Sequence, residues 1–214
     1  MTELINVLLI VAAYLLGSIP TAVWIGKAFY DIDVREHGSG NAGATNTFRV
    51  LGKKAGVPVL TIDILKGWLA ANLAYINGYD IGSEEFVNLQ LALGLVALMG
   101  HIFPIYVGFK GGKGIATLLG VVLAIQPYAA LVAIGVFLMI FLSTNYVSLS
   151  SIVAAITFPI ITIIIFHAKV QSLIMFSMFI AVIVLITHQK NIERLLKGEE
   201  SKTRLSKKKN RLED

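Results

Sequence analysis

The chain has 214 residues, 56% of them hydrophobic and 14% charged, with a mean hydropathy of +0.77. So little polar surface cannot cover a soluble globule of this size, which predicts an all-α, multi-pass membrane protein. The 18 Lys and Arg against 13 Asp and Glu are crowded into a few segments, and the absence of cysteine excludes a disulfide scaffold, a thiolate metal site and a thiol nucleophile.

A membrane-crossing helix needs about 20 apolar residues. Runs at 4–26, 57–76, 86–107, 149–166 and 170–187 meet that requirement. The amino terminus, Met1-Thr2-Glu3, places no basic segment before the first run, which is expected to stay as a span and not be cleaved as a signal peptide. The stretch 115–142 is too long for one straight crossing and is interrupted at Gln126-Pro127. Read as two helices, short or tilted, it brings the total to seven spans. Segments 27–56, 108–114, 143–148 and 188–214 then share one face and carry 16 of the 18 Lys and Arg. The positive-inside tendency makes that face cytoplasmic, with the N-terminus outside and the C-terminus in the cytoplasm. Read as one helix, the same stretch would put the nine cations of the tail opposite the seven of the loops. The chain divides into one membrane-integral unit over 1–202 and a basic cytoplasmic tail over 203–214 that holds Lys207-Lys208-Lys209 and Arg211.

The first cytoplasmic segment contains Ser39-Gly40-Asn41-Ala42-Gly43-Ala44-Thr45-Asn46-Thr47-Phe48-Arg49. Glycine allows close backbone approach and exposes N–H groups to an anion, and the Arg49 guanidinium is a fork suited to phosphate. Asn41, Thr45 and Asn46 add the uncharged donors that a hydroxylated phosphate ester needs. Within the second span, Asp63 and Lys66 are spaced i, i+3 and predict a structural ion pair. His101, just before Phe103-Pro104, is expected to orient the loop that follows through a hydrogen bond.

The second cytoplasmic segment, Gly108-Phe109-Lys110-Gly111-Gly112-Lys113-Gly114, runs directly into an apolar helix. Lysines on a glycine-rich turn at a helix N-terminus make a phosphate cradle, with Lys110 and Lys113 as cations and the N–H groups of Gly111, Gly112 and Gly114 as donors. The spacing is not that of a nucleotide-hydrolysing P-loop. The third feature is the passage out of the last span, His188-Gln189-Lys190-Asn191-Ile192-Glu193-Arg194-Leu195-Leu196-Lys197-Gly198-Glu199-Glu200. On a helix His188 and Asn191 share a face, and His188 is either an acid-base group or a helix-end anchor.

With Gly17-Ser18-Ile19-Pro20 and Asp63-Ile64-Leu65-Lys66-Gly67, these three motifs resemble the bacterial acyl-phosphate-dependent glycerol-3-phosphate acyltransferase family over residues 15–202. The matching stretches are 39–49, 100–114 and 188–200, and the visible departure is Ala42, where that family commonly has proline or valine. The His-x-x-x-x-Asp motif of other glycerolipid acyltransferases is missing, since His37, His101, His167 and His188 are followed five positions on by Ala42, Tyr106, Ser172 and Glu193.

The resemblance implies an acyltransferase of phospholipid synthesis in the bacterial plasma membrane, its active site facing the cytoplasm. It would move a fatty acyl group from acyl phosphate to the 1-hydroxyl of sn-glycerol 3-phosphate and release lysophosphatidic acid and phosphate. Its partners would be those two substrates and membrane lipid, with no nucleic acid, metal or other cofactor. Ser39, Arg49, Lys113, His188 and Asn191 are then the expected catalytic residues, and Asn41, Thr45, Asn46, Lys110, Gly111, Gly112, Gly114 and Glu200 the expected binding residues. Glu200 is expected to pair with cations and fix the tail. The proton acceptor is either His188 or the departing phosphate. The rival reading is a transporter of phosphorylated metabolites, which calls for polar residues at the midplane of several spans.

Overall fold

In the computed structural model, which describes residues 2–203, the first apolar run is broken. Helix α1, Thr2–Gly17, and α2, Thr21–Tyr30, meet at 42° across Ser18-Ile19-Pro20. Pro20 has no N–H to bond back to the end of α1, and it stands as the N-cap from which α2 restarts. A short helix, α3 (Ala44–Leu51), then precedes the long α4 (Lys53–Asn72) and α5 (Glu84–Ile102). The expected interruption before Pro127 is present: α6 is Ile115–Ile125 and α7 is Pro127–Thr144. Helix α8 (Val147–Ile160) contains Pro159 and relaxes into a wider turn at Ile161–Ile165. The last apolar helix, α9 (Gln171–Thr187), bends by 62° into the amphipathic α10 (Gln189–Leu196).

Among the described residues, α4, α5, α7 and α8 together with its wider turn to Ile165 are each long and apolar enough to cross a membrane, and counting each bent pair as one span brings the number to six. The remaining apolar helix, α6, has 11 residues, a length of about 16 Å that falls short of the hydrocarbon core. Large apolar side chains face outward along the bundle, among them Leu8 on α1, Leu131, Leu138 and Leu142 on α7, and Met175 and Val182 on α9. In water such a surface would aggregate; in lipid it is the favoured one. The basic residues at 204–214 lie outside the described residues.

The helices pack closely because glycine lies at their crossings. A Cβ on Gly67 of α4 would collide with the Thr117 carbonyl of α6, and one on Gly120 of α6 with the Ile64 carbonyl of α4. Close backbone contact is how apolar helices associate where burial from water contributes nothing. This crossing surrounds the expected ion pair. Lys66 Nζ donates to Asp63 Oδ1 at 2.8 Å, and both side chains are buried. The break in the first span completes the pair: Lys66 Nζ also reaches the Ile19 carbonyl at 2.8 Å, and Thr21 Oγ1 donates to Asp63 Oδ1 at 3.0 Å.

Candidate active site

The start of α6, the junction of α9 and α10, and the segment after α10 converge. Lys113 Nζ donates to Asn191 Oδ1, and Asn191 Nδ2 donates to Glu200 Oε1 at 2.6 Å. An ammonium only donates and a carboxylate only accepts, so this pair of partners leaves one orientation for the amide. Glu200 also accepts from Ser148 Oγ at 2.7 Å and, through Oε2, from Arg194 Nε at 2.7 Å. Burial raises the Glu200 pKa, but the hydrogen bonds from Ser148, Arg194 and Asn191 outweigh it and hold the group below its usual value. Glu200 thus pairs with Arg194 and braces Asn191, in keeping with the expectation that it holds a cation and fixes the tail.

Burial pushes the Lys113 pKa down to about 8, with Glu200 opposing the shift and Arg194 and Arg49 adding to it. The first motif meets the glycine loop at its backbone, where a Cβ on Gly112 would come within 3.2 Å of the Ala42 carbonyl. Arg49 and Thr45 are exposed and make no side-chain hydrogen bond among the described residues. His188 is 3% exposed, and its Nδ1–H donates to the Val184 carbonyl at 2.8 Å, so the lone pair of the neutral ring is on Nε2. Burial and the nearby Lys113 charge push its pKa down to about 4. His188 and Asn191 are both buried on one side of α10, as the helical spacing predicts.

The glycine loop works differently from the expected cradle. The Gly111 N–H donates to the Ile102 carbonyl at 3.1 Å and the Gly112 N–H to the His101 carbonyl at 3.2 Å. Both donors are spent on closing the end of α5, so they are not available to an anion. These positions are glycine for steric reasons: a Cβ on Gly111 would strike the His101 carbonyl, and one on Gly112 the His101 ring. His101 thus seats the loop, held in turn by the Thr117 hydroxyl 3.1 Å from its Nδ1. Gly114, with φ +79, opens α6 against Leu98 and Ile102.

The first loop is organised by Asn46, which is 2% exposed. Its Nδ2 donates to the Val34 and His37 carbonyls at 2.8 and 3.0 Å, and its Oδ1 accepts from Ser39 N and Oγ at 2.8 and 3.1 Å. Asn46 is a brace that presents Ser39 and has no donor left for a ligand. Ser39 is exposed and Asn41 half-buried. Lys110 lies away from the Lys113 pair, on a cleft of about 500 Å³ shared with Arg35, Glu36, Gly40 and Gly111. There Arg35 forks onto Asp33 at 3.0 and 2.8 Å and donates to the Val107 carbonyl at 2.9 Å, clasping the two loops together. The Arg35 bond holds Asp33 well below the usual carboxylate range. Neither Ser148 nor the Asp33–Arg35 clasp was marked by the motifs. Arg194 lies within the third motif, where its spacing from Asn191 was visible.

Comparison with known proteins gives one answer. The family model for glycerol-3-phosphate acyltransferase matches residues 7–198. A glycerol-3-phosphate acyltransferase of Fusobacterium nucleatum is 46% identical, covering 90% of this chain and 95% of that one, and one of Trichlorobacter lovleyi is 47% identical with the same coverage. Among solved structures, PlsY, an integral membrane glycerol 3-phosphate acyltransferase, matches in its glycerol 3-phosphate form with a TM-score of 0.83 and 41% identity, covering 93% of this chain and 96% of that one. A second PlsY structure, the lysophosphatidic acid form, matches with a TM-score of 0.79 and 40% identity, over 93% and 95% of the two chains. A family match across most of the chain, relatives near half identity and a shared all-helical architecture agree: the chain belongs to the glycerol-3-phosphate acyltransferase family.

Proposed function

We propose that this chain transfers a fatty acyl group from acyl phosphate to the 1-hydroxyl of sn-glycerol 3-phosphate, releasing lysophosphatidic acid and inorganic phosphate. The observation that carries this reading is the meeting of Lys113 and Asn191, with Arg194 held on the same Glu200 carboxylate as Asn191. Two phosphate-bearing substrates need such a concentration of cations. The apolar tail of the donor has a path beside it. A groove between α5 and α9 is lined by Leu95, Leu98, Met99, Ile102, Phe179 and Ile183, and Leu98 and Ile102 also pack against Gly114.

Acyl phosphate is an activated mixed anhydride, so direct attack suffices without an acyl-enzyme. The 1-hydroxyl oxygen attacks the acyl carbon, the bond from that carbon to the phosphate oxygen breaks, and the hydroxyl proton goes to the departing phosphate. Lys113 and the Gly114 N–H stabilise the leaving phosphate, Asn191 orients the hydroxyl, and Ser39, Thr45 and Arg49 hold glycerol 3-phosphate with Asn41. The depressed pKa of His188 supports the phosphate as proton acceptor, because a group near 4 is a weak base at neutral pH. His188 then orients substrate through its Nε2. Lys110 contributes field at the mouth of the cleft.

In the membrane the reading has seven helical segments, α1–α2, α4, α5, the short α6, α7, α8 and α9, with the N-terminus outside. The site faces the cytoplasm of a bacterial cell, on the side that receives 16 of the 18 Lys and Arg. The test is release of phosphate from palmitoyl phosphate by the purified protein, dependent on glycerol 3-phosphate. Turnover in detergent micelles is expected; solute movement only in sealed vesicles, with no lysophosphatidic acid, would overturn the reading in favour of transport.

A further inference from the structure

The turn between α7 and α8 carries no cation and belongs to none of the three motifs, yet it holds the segment that follows α10. Asn145, with φ +61, ends α7 in the left-handed region, and its carbonyl accepts the Thr203 N–H at 2.8 Å. Lys202 Nζ lies 5.4 Å from the centre of the Tyr146 ring. Two residues further, Ser148 is 6% exposed and donates to Glu200 Oε1. Its neighbours behave otherwise. Ser150 and Ser151 spend their hydroxyls on the carbonyls of Tyr146 and Val147, four residues back on their own helix, whereas Ser148 reaches across to the tail.

We propose that Ser148 is a positioning residue for acyl transfer: it fixes Glu200, and through Glu200 the Asn191 amide that meets Lys113. The proposal rests on the reading above that Asn191 and Lys113 contact substrate. Ser148 Oγ and Asn191 Nδ2 share the same carboxylate oxygen, at 2.7 and 2.6 Å. Arg194 holds the other oxygen, so the three donors together fix the rotation of the carboxylate about its own axis. Removing Ser148 leaves a buried carboxylate short of one donor and free to swing toward Arg194, which pulls the acceptor away from Asn191. The Asn191 amide then loses the partner that aims its oxygen at Lys113.

The experiment is steady-state kinetics of Ser148→Ala and Ser148→Thr on the full chain in detergent, with palmitoyl phosphate and glycerol 3-phosphate varied separately. Ser148→Ala is expected to lower kcat/KM for glycerol 3-phosphate by about 10-fold while the KM for palmitoyl phosphate stays within about 2-fold, and Ser148→Thr, which keeps a hydroxyl, to recover most of the loss. In a Glu200→Gln background the same Ser148→Ala change is expected to cost no more than about 2-fold, because its route to Asn191 is already broken. Ser143→Ala, on an exposed hydroxyl that bonds its own helix, serves as the neutral control. Wild-type kinetics in Ser148→Ala, a full additive loss in the Glu200→Gln background, or a fall in thermal stability that Ser148→Thr fails to repair would each overturn the proposal. Lys113→Ala and Asn191→Ala separate the two levels: if both are inactive and Ser148→Ala is normal, this proposal alone fails, whereas normal turnover in both removes the site assignment and the proposal with it.

Discussion

Lys113 and Asn191 are 78 residues apart in the chain and meet as donor and acceptor at the centre of the site. Asn191 cannot be replaced by its closest isostere. Asn191→Asp would place a carboxylate where Nδ2 now donates to Glu200 Oε1 at 2.6 Å, setting two acceptors against each other. Turnover is expected to fall about 10²- to 10³-fold in both Asn191→Asp and Asn191→Ala, the loss typical of one positioned donor, with Asp no better than Ala. Initial rates of lysophosphatidic acid formation check this, and a nearly normal rate in Asn191→Asp would contradict the assigned orientation of the amide.

The depressed pKa of Lys113 gives a pH dependence with a definite sign. A cation whose pKa falls from 10.5 to about 8 loses its charge as pH rises through about 8, well before an ordinary lysine does. Because kcat/KM reports groups of the free enzyme, it is expected to be maximal below that pH and to decline above it with the titration of one proton. Lys113→Arg keeps its charge throughout and should lose this basic limb, at a lower maximal rate because its planar fork does not reproduce the ammonium contact with Asn191. His188, at about 4, is expected to add no limb between pH 5 and 8. A basic limb that persists unchanged in Lys113→Arg would assign it to another group.

Much of this was legible in the residues, and the exceptions have physical causes. The α6–α7 break was visible because proline and a 28-residue apolar run cannot both fit one straight helix. The break at Ser18-Ile19-Pro20 is hidden within the expected span 4–26, because hydropathy averages across a single proline flanked by apolar residues. The three motifs marked the right neighbourhood, since glycine, lysine and amide residues at loop positions have few other uses in an apolar chain. Their division of labour was not visible. That Asn46 braces Ser39, and that the Gly111 and Gly112 amides close α5, depends on carbonyls at Val34, His37, His101 and Ile102, and a carbonyl looks the same in every residue. Ser148 gave no signal at all, being one of several serines at the start of an apolar helix.

Asn46 should behave as structure and not as ligand. Both of its amide hydrogens and its oxygen are committed inside the first loop, so Asn46→Asp sets a carboxylate against two carbonyls. The expected cost is about 1–3 kcal/mol of stability for Asn46→Asp or Asn46→Ala, read by thermal unfolding in detergent, with a raised KM for glycerol 3-phosphate as Ser39 loses its anchor. Unchanged stability with only a raised KM would return Asn46 to the substrate.

The loop glycines predict a sharp contrast along one short stretch. Gly111 faces the His101 carbonyl, a backbone atom that cannot rotate away, so Gly111→Ala must displace the loop that carries Lys113. Gly108, in contrast, sits at positive φ, +70, but meets nothing where a side chain would begin, and asparagine adopts that left-handed conformation readily. Gly111→Ala is therefore expected to lower kcat by 10²-fold or more, since small misplacements of a catalytic group cost about that much. Gly108→Asn is expected to stay within about 3-fold of the wild type. Equal damage from the two would mean that the loop needs flexibility rather than the close seat on His101.

The buried pair beneath the site makes the most stringent test of what holds the bundle. Asp63 accepts from Lys66 and Thr21, lies 3.8 Å from His101 Nδ1, and is 1% exposed. Removing one partner leaves the other as an uncompensated buried charge, whereas removing both leaves no buried charge unpaired. Lys66→Met is thus expected to cost about 3–5 kcal/mol, and Asp63→Asn with Lys66→Met to recover more than half of that, because asparagine still accepts from Thr21. The Ile19 carbonyl, which loses its donor in both variants, prevents full recovery. Denaturation of the purified variants in mixed micelles measures the three stabilities. If the double variant proves as unstable as Lys66→Met alone, the Asp63 charge is not what the lysine compensates, and the hydrogen bond that ties α4 to the broken first span carries the stability instead.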